Sequence, residues 1–367
     1  MMVADFLREG GTLVELEARH FIKAKRHGVH PNLVLLKYNQ LSSPFQEPLV
    51  RECRGLILDE ADDWRPVALG FAKFFNHGEQ LSAEVDWSTA RVQEKLDGSL
   101  CVLYPYRDEW LVATTGTPDA SGPCRGNDFT FAELFWRTFK GRGLVLPESR
   151  HILSFELTSP FNRVVVPLAE SQLTLIGVRD QQTWLEEPVS EWADRYPVVR
   201  EFPLQSLADL ISSFENLRPL EQEGYVVVDG EFNRVKVKHP GYVAIHHMKG
   251  EGGPTLKRML DIARSGEGSE LLANFPEWRP QFDEAKRRLD DFVGETERDY
   301  RSCADVVGSG GTQKEFALLA TKTRCPAALF MLRAGKVRSV GEFAAKMRLE
   351  ALTDVLGIRP EVSTEAA

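Results

Sequence analysis

The sequence predicts an α+β fold on antiparallel sheets, followed by an all-helical C-terminal domain, and three observations carry that expectation. Between residues 33 and 238 short apolar runs recur with no regular βα alternation. Asp-Gly pairs at 97–98 and 229–230 separate such runs, the sign of tight hairpins. After Gly250 the apolar spacing turns to threes and fours, as in Phe282, Ala285, Leu289 and Phe292. Gly250-Glu251-Gly252-Gly253-Pro254 reads as the linker, which makes residues 1–249 one domain and 250–367 the other.

In order along the chain, residues 3–27 read as one amphipathic helix, with Phe6, Leu7, Leu13, Leu16 and Phe21 apolar among charges. Residues 33–38 form a short apolar strand, and 51–59 another with Arg51 and Arg54 at its entrance. A further strand covers 67–75. Residues 92–103 are expected as a hairpin turning at Asp97-Gly98, with Lys95 at the lip of its sheet. Strands at 110–115, 152–157 and 173–178 follow, with a helix over 129–146 packed across the sheet. Helices at 187–196 and 204–214 lead to a second hairpin, 223–228 with 235–238, about Asp229-Gly230. The C-terminal part holds helices over 278–301, 316–332 and 340–356. No internal repeat is present, and Gly308-Ser309-Gly310-Gly311 is a flexible connection rather than a phosphate loop.

Composition limits the function classes. A chain of 367 residues can bury two substantial cores. No apolar run reaches bilayer-spanning length, and the N-terminus lacks a basic segment followed by an apolar one, so no membrane partner is expected. Cys53, Cys101, Cys124, Cys303 and Cys325 are scattered without a CxxC pair, which argues against a disulfide framework or zinc ribbon and fits a reducing cytosol. A net charge of −9 excludes a protein that coats nucleic acid by bulk positive charge. Any RNA or DNA contact needs a local basic groove.

Charged residues set singly on apolar strands point to chemistry. Lys95 in Glu94-Lys95-Leu96-Asp97-Gly98-Ser99 can attack phosphorus once its proton is lost, which calls for neighbouring cations or desolvation. Lys-x-Asp-Gly by itself also fits a solvated lysine before a turn. Lys236 and Lys238 share one face of a strand between Val235 and Val237, a costly arrangement without an anion, and a polyphosphate is such an anion. Glu156 and Glu223 need a cation in turn, and Mg²⁺ with retained waters suits them. The bland alternative has these lysines and glutamates neutralising one another on a surface sheet.

The order of the motifs decides between the two. Lys95-x-Asp97-Gly98-Ser99, Phe155-Glu156-Leu157, Glu223-Gly224-Tyr225-Val226 and Val235-Lys236-Val237-Lys238 resemble the series of covalent nucleotidyltransferases. Glu52-Cys53-Arg54-Gly55, Lys73-Phe74-Phe75-Asn76, Pro160-x-Asn162-Arg163 and Tyr242-Val243-x-x-His246 are similar to one branch, the tRNA-repair RNA ligase 1 type of T-even bacteriophages. The resemblance covers residues 33 to 250. It implies ATP and Mg²⁺ as cofactors, with Mn²⁺ as a substitute, and Lys95 as the nucleophile that takes AMP. It implies that Arg54, Lys73, Lys236 and Lys238 hold phosphates, and that Asp97, Glu156 and Glu223 hold ribose hydroxyls or the waters of the metal. The implied substrate is RNA with 5′-phosphate and 3′-hydroxyl ends, tRNA among the candidates, prepared by an end-healing kinase/phosphatase, with the ligase acting as a monomer. One departure stands out: the family lysine after the second strand beyond the nucleophile is Thr115 here. The rival readings are a DNA ligase or capping enzyme, which would carry a β-barrel where this chain is helical, and an inactive RNA-binding homologue.

Overall fold

The computed structural model describes residues 1–124, 127–148, 150–162, 169–217, 222–247, 255–309 and 311–358. The expected linker at 250–254 and Arg163 lie outside the described residues, as does the side chain of His246. The chain forms two compact units, Met1–His246 and His247–Ala367.

The first unit starts with α1 (Met2–Arg8) and α2 (Leu13–His20) rather than one long helix. Gly10-Gly11 interrupts the helix, and Thr12 caps the next one: its hydroxyl accepts from Glu15 N at 3.2 Å while the Glu15 carboxylate accepts from Thr12 N at 3.0 Å. Phe21 ends α2 in the left-handed region, φ 56°, and 23–26 turns to strand. β1 (Lys23–Arg26) and β2 (Leu33–Lys37) precede α3 (Pro48–Glu52), so Arg51 is helical and only Arg54 opens β3 (Arg54–Asp59). β4 (Arg65–Ala68) completes a four-stranded sheet in the order β1-β2-β3-β4. Both faces of β2 are buried: Leu33 and Leu35 pack toward Val102 and Tyr104, Val34 and Leu36 toward the helices.

β5 (Phe75–Asn76) and β6 (Arg91–Lys95) belong elsewhere. The expected 67–75 strand is thus two short strands, in different sheets. β7 (Ser99–Tyr106), β8 (Glu109–Thr114), α4 (Phe131–Gly141), β9 (His151–Thr158), β10 (Gln172–Asp180) and β11 (Glu186–Glu187) follow. The second sheet runs β11-β10-β9-β7-β8. Phe135 and Phe139 of α4 pack on its Phe155 and Leu157, as the spacing of that helix predicts. The helix at 187–196 reduces to a 3₁₀ turn, Val189–Trp192. β12 (Glu201–Phe202), α5 (Leu207–Ser213), β13 (Gly224–Val228) and β14 (Arg234–Lys238) complete a third sheet, β12-β6-β13-β14-β5, before α6 (Pro240–His247). All pairings are antiparallel except β14 with β5.

One correction matters for function. Asp97-Gly98 is not a hairpin turn, because β6 lies in the third sheet and β7 in the second. The turn carries the chain from one sheet to the other and leaves Lys95 where they meet. The hairpin at Asp229-Gly230 forms as expected, β13 pairing β14 from Gly224–Lys238 to Val228–Arg234.

The second unit is helical among the described residues: α7 (Leu256–Ser265), α8 (Gly268–Asn274), α9 (Arg279–Gly308), α10 (Gln313–Ala320), α11 (Pro326–Arg333), α12 (Val340–Lys346) and α13 (Leu349–Leu356). Phe282, Leu289 and Phe292 of α9 share a core with Met259, Phe316 and Leu352. The expected helix at 316–332 is two, because Pro326 can only start a helix. The 340–356 helix also breaks, at Met347 and Arg348, which are both extended. No described helix is long and apolar enough to cross a membrane. All five cysteines are buried and free of disulfides.

Candidate active site

The second and third sheets face each other across a cleft of 570 Å³. β6, β13 and β14 form one wall. Their register aligns Gln93, Val226 and Lys236 in one row and Lys95, Gly224 and Lys238 in the next, so each row presents side chains to the same face. Gly224 is obligatory at the centre of its row. Its φ is +146°, and a Cβ there would stand 2.3 Å from Val237 O. Glu223, immediately before it, is 4% exposed. Its carboxylate accepts from Lys95 Nζ, and Lys238 Nζ lies 3.0 Å from its other oxygen.

Lys236 differs from Lys238. Its ammonium lies 5.2 Å from the Phe74 ring, and the charges that act on it most strongly are cations. Burial, reinforced by Lys73, Lys95, Lys238 and Arg54, lowers its pKa to about 7. Arg54, at the start of β3, also lines the cleft and stands 5.6 Å from the same ring. Its Nη1 is buried without a hydrogen-bond partner. A buried donor with nothing to donate to is expensive, and an anion in the cleft would supply the acceptor.

The opposite wall contributes Leu100, Glu156 and Ile176. Burial raises Glu156 to about 7, against the attraction of Lys95 and with the help of repulsion by Glu223. The Gly98 N–H donates to its carboxylate and works the other way. Asp97 and Glu223 line an adjoining pocket of 390 Å³ that shares Lys95 with the main cleft. The Tyr242 hydroxyl donates to Asp97 at 2.8 Å, tying α6 to the sheet-to-sheet turn. Lys73 does not line the main cleft. Its ammonium lies 5.0–5.5 Å from the Tyr38, Phe45 and Phe75 rings and 3.4 Å from Gln40 Oε1.

Five of the eight expected site residues therefore converge on one cleft: Arg54, Lys95, Glu156, Lys236 and Lys238. Asp97 and Glu223 flank it behind Lys95, and Lys73 adds its charge from a neighbouring pocket. The three acids expected around a metal are not clustered as a trio. Among the described residues the one group of three with ligand atoms all within 4.8 Å is His151, Asp180 and Glu187, which includes none of those three acids. Reading the sequence quoted Phe74 in a motif but gave it no role, whereas it is set between two cations; it missed Lys37, which ends the apolar run Leu33-Val34-Leu35-Leu36 and lines the cleft beside Thr115. A charge at the end of a buried strand was the available signal for Lys37.

A lysine where two facing sheets meet, with further cations on one wall, suits nucleotidyl transfer. Comparison with known proteins narrows the class. The pattern of a family described as RNA ligase matches residues 52–242. An RNA ligase of Rhodothermus phage RM378 is 31% identical over 303 residues, covering 64% of this chain and 68% of that protein. A protein of Autographa californica nuclear polyhedrosis virus, provisionally named a bifunctional polynucleotide kinase/RNA ligase, is 29% identical over 302 residues, 75% of this chain and 42% of that one. Among solved structures, an archaeal ATP-dependent RNA ligase aligns over 77% of this chain and 78% of its own at 14% identity, with a TM-score of 0.46. The chain belongs to the RNA ligase family, of the RNA ligase 1 type.

Proposed function

We propose that this protein seals RNA in three ATP-dependent steps. Neutral Lys95 Nζ attacks the α-phosphorus of ATP; an N–P bond forms, the Pα–O–Pβ bond breaks and pyrophosphate leaves. The 5′-phosphate of an RNA end then attacks the same phosphorus, giving an RNA-adenylate and free Lys95. The 3′-hydroxyl of the other end attacks the RNA 5′-phosphorus, and AMP leaves with the bridging oxygen. The observation that carries this reading is the meeting of Lys95 in one cleft with the buried Arg54 Nη1, which has no hydrogen-bond partner, and with Lys236, whose pKa is held low by burial and four other cations. Cations held ready for a charge that the protein itself does not supply stabilise the pentavalent phosphorus and the leaving group by position alone.

A divalent cation suits the acids around Lys95. Glu156 is held up by burial and by repulsion from Glu223, so Mg²⁺ or Mn²⁺ held by Glu156, with Glu223 and Asp97 reaching it through water, would relieve a cost already present. Such an ion supplies charge neutralisation to the phosphates. In the protein itself Lys236, Lys238, Lys73 and Arg54 orient them. Incubating the protein with α-labelled ATP and Mg²⁺, then denaturing electrophoresis, tests the reading. A covalent label lost to pyrophosphate is expected; its absence would sink the reading.

The substrate in this proposal is a broken tRNA loop or another single-stranded RNA, sealed by a monomer. The viral relative's provisional name joins kinase and ligase in one chain, which supports an end-healing kinase/phosphatase acting ahead of this one. The helical unit is proposed to recognise RNA shape rather than charge. On α9, Lys286, Arg287 and Arg288 are engaged with Asp290, Asp291 and Glu284, solvent-exposed pairs that add little to stability. A protein ending at Lys249 is expected to keep self-adenylation but to lose preference for a nicked stem-loop over a plain single strand. Sealing rates of both substrates at one salt concentration check this, and an unchanged preference would leave the helices as a stabilising cap.

A further inference from the structure

Lys37 closes β2, and its cross-strand partners are Arg54 on β3 and Lys23 on β1. Partial desolvation, then the cations Lys25, Lys23 and Arg54, hold its pKa below that of an ordinary lysine. These strongest influences include no carboxylate. The side chain reaches across to the loop after β8: Lys37 Nζ lies 3.7 Å from the point where a Cβ on Gly116 would stand. Lys37, Thr115 and Gly116 line the same cleft as Lys95. Gly55 permits this approach. Its φ is +82°, and a Cβ there would come within 3.0 Å of Thr115 Cα, so any other residue would part β3 from the loop.

Thr115 gives the loop after β8 no charge of its own in the cleft, and the Lys37 ammonium from another strand stands beside its neighbour Gly116. We propose that Lys37 is a phosphate-binding residue of the cleft, supplying from β2 the cation that is absent at Thr115. The proposal rests on the nucleotidyl-transfer reading above. It assigns Lys37 and Arg54, cross-strand partners at the cleft, a shared anion. That anion is a phosphate, from either the outer part of the nucleotide or the 5′ end of the RNA.

The test uses the full-length protein, Lys37→Ala, the double variant Lys37→Ala/Thr115→Lys, and Lys23→Ala as a control for diffuse charge. One arm measures self-adenylation against ATP concentration. The other starts from adenylated protein and measures AMP transfer against the concentration of 5′-phosphorylated RNA, at the same ionic strength. Lys37→Ala is expected to raise the half-saturating concentration in one arm by about tenfold, with a smaller change in maximal rate. A change in the first arm assigns the nucleotide, and one in the second assigns the RNA end. Adding Thr115→Lys should recover most of the loss, and Lys23→Ala should stay within about twofold of the parent. The proposal falls if Lys37→Ala matches the parent in both arms, if Lys23→Ala does equal damage, or if Thr115→Lys recovers nothing. Failure of the unaltered protein to take label from ATP would instead overturn the nucleotidyl-transfer reading itself, and this proposal with it.

Discussion

Replacing Lys95 by Ala is expected to abolish both covalent labelling from ATP and the sealing of 5′-phosphorylated RNA. Lys95 ends β6 at the crossing between two sheets and lines both the main cleft and the pocket behind it. Loss of the amine removes the group that would form the phosphoramidate, so the residual activity should be background rather than a reduced rate. The fold should survive, because Glu223 keeps Lys238 at 3.0 Å. Lys95→Arg sharpens the test. It retains the positive charge opposite Glu223, yet a guanidinium does not give up its proton in proteins. Folded but unlabelled Ala and Arg variants would place the nucleophile at Lys95. A label on either, traced to another residue by peptide mapping, would remove it from that role.

The second large effect separates two lysines that the sequence presents as a matched pair. Lys236→Met and Lys238→Met should each slow adenylation by roughly 100-fold or more, the loss typical of removing one preorganised charge from a transition-state cradle. Their stabilities should move in opposite directions. Lys238 is one of two cations on the buried Glu223 carboxylate, and its removal leaves that charge with Lys95 alone, so the Tm should fall. Lys236 is lowered to about 7 by burial and by four neighbouring cations. Below pH 7 the fold bears the full cost of its charge. As pH rises through 7 toward the ordinary lysine value, the folded protein sheds the proton first and the cost fades. Lys236→Met should therefore raise the Tm at pH 6, by an amount that shrinks by pH 9. Thermal unfolding of both variants across that range checks it. A steep Tm loss in Lys236→Met at every pH would mean that the residue supports the fold, not a ligand.

Much of this site was legible because its chemistry is written in short local patterns. A lysine before Asp-Gly, glutamates between apolar residues and two lysines two apart on a strand are visible wherever the chain happens to fold. The second hairpin was legible for the same reason: Asp229-Gly230 and the apolar runs around it are neighbours in sequence. Helix ends were harder. The segment 3–27 has continuous amphipathic spacing, and what divides it is a reciprocal pair of hydrogen bonds between Thr12 and Glu15. Similarly, the break between α10 and α11 lies at Pro326, a residue that periodicity alone passes over.

The sequence by itself determined the class of this protein: an α+β domain with ordered nucleotidyl-transfer motifs, then helices. Those properties reside in residue type and spacing over a few positions. Tertiary structure alone decided which charges meet. Asp97-Gly98 joins two sheets instead of closing a hairpin, because β6 finds its partners in β12 and β13, more than a hundred residues away. That long-range pairing brings Glu223 to both Lys95 and Lys238, leaves Lys236 among cations, and sets Lys37 beside Thr115. Charge acts through distance in space and through burial, and neither is a property of neighbouring letters.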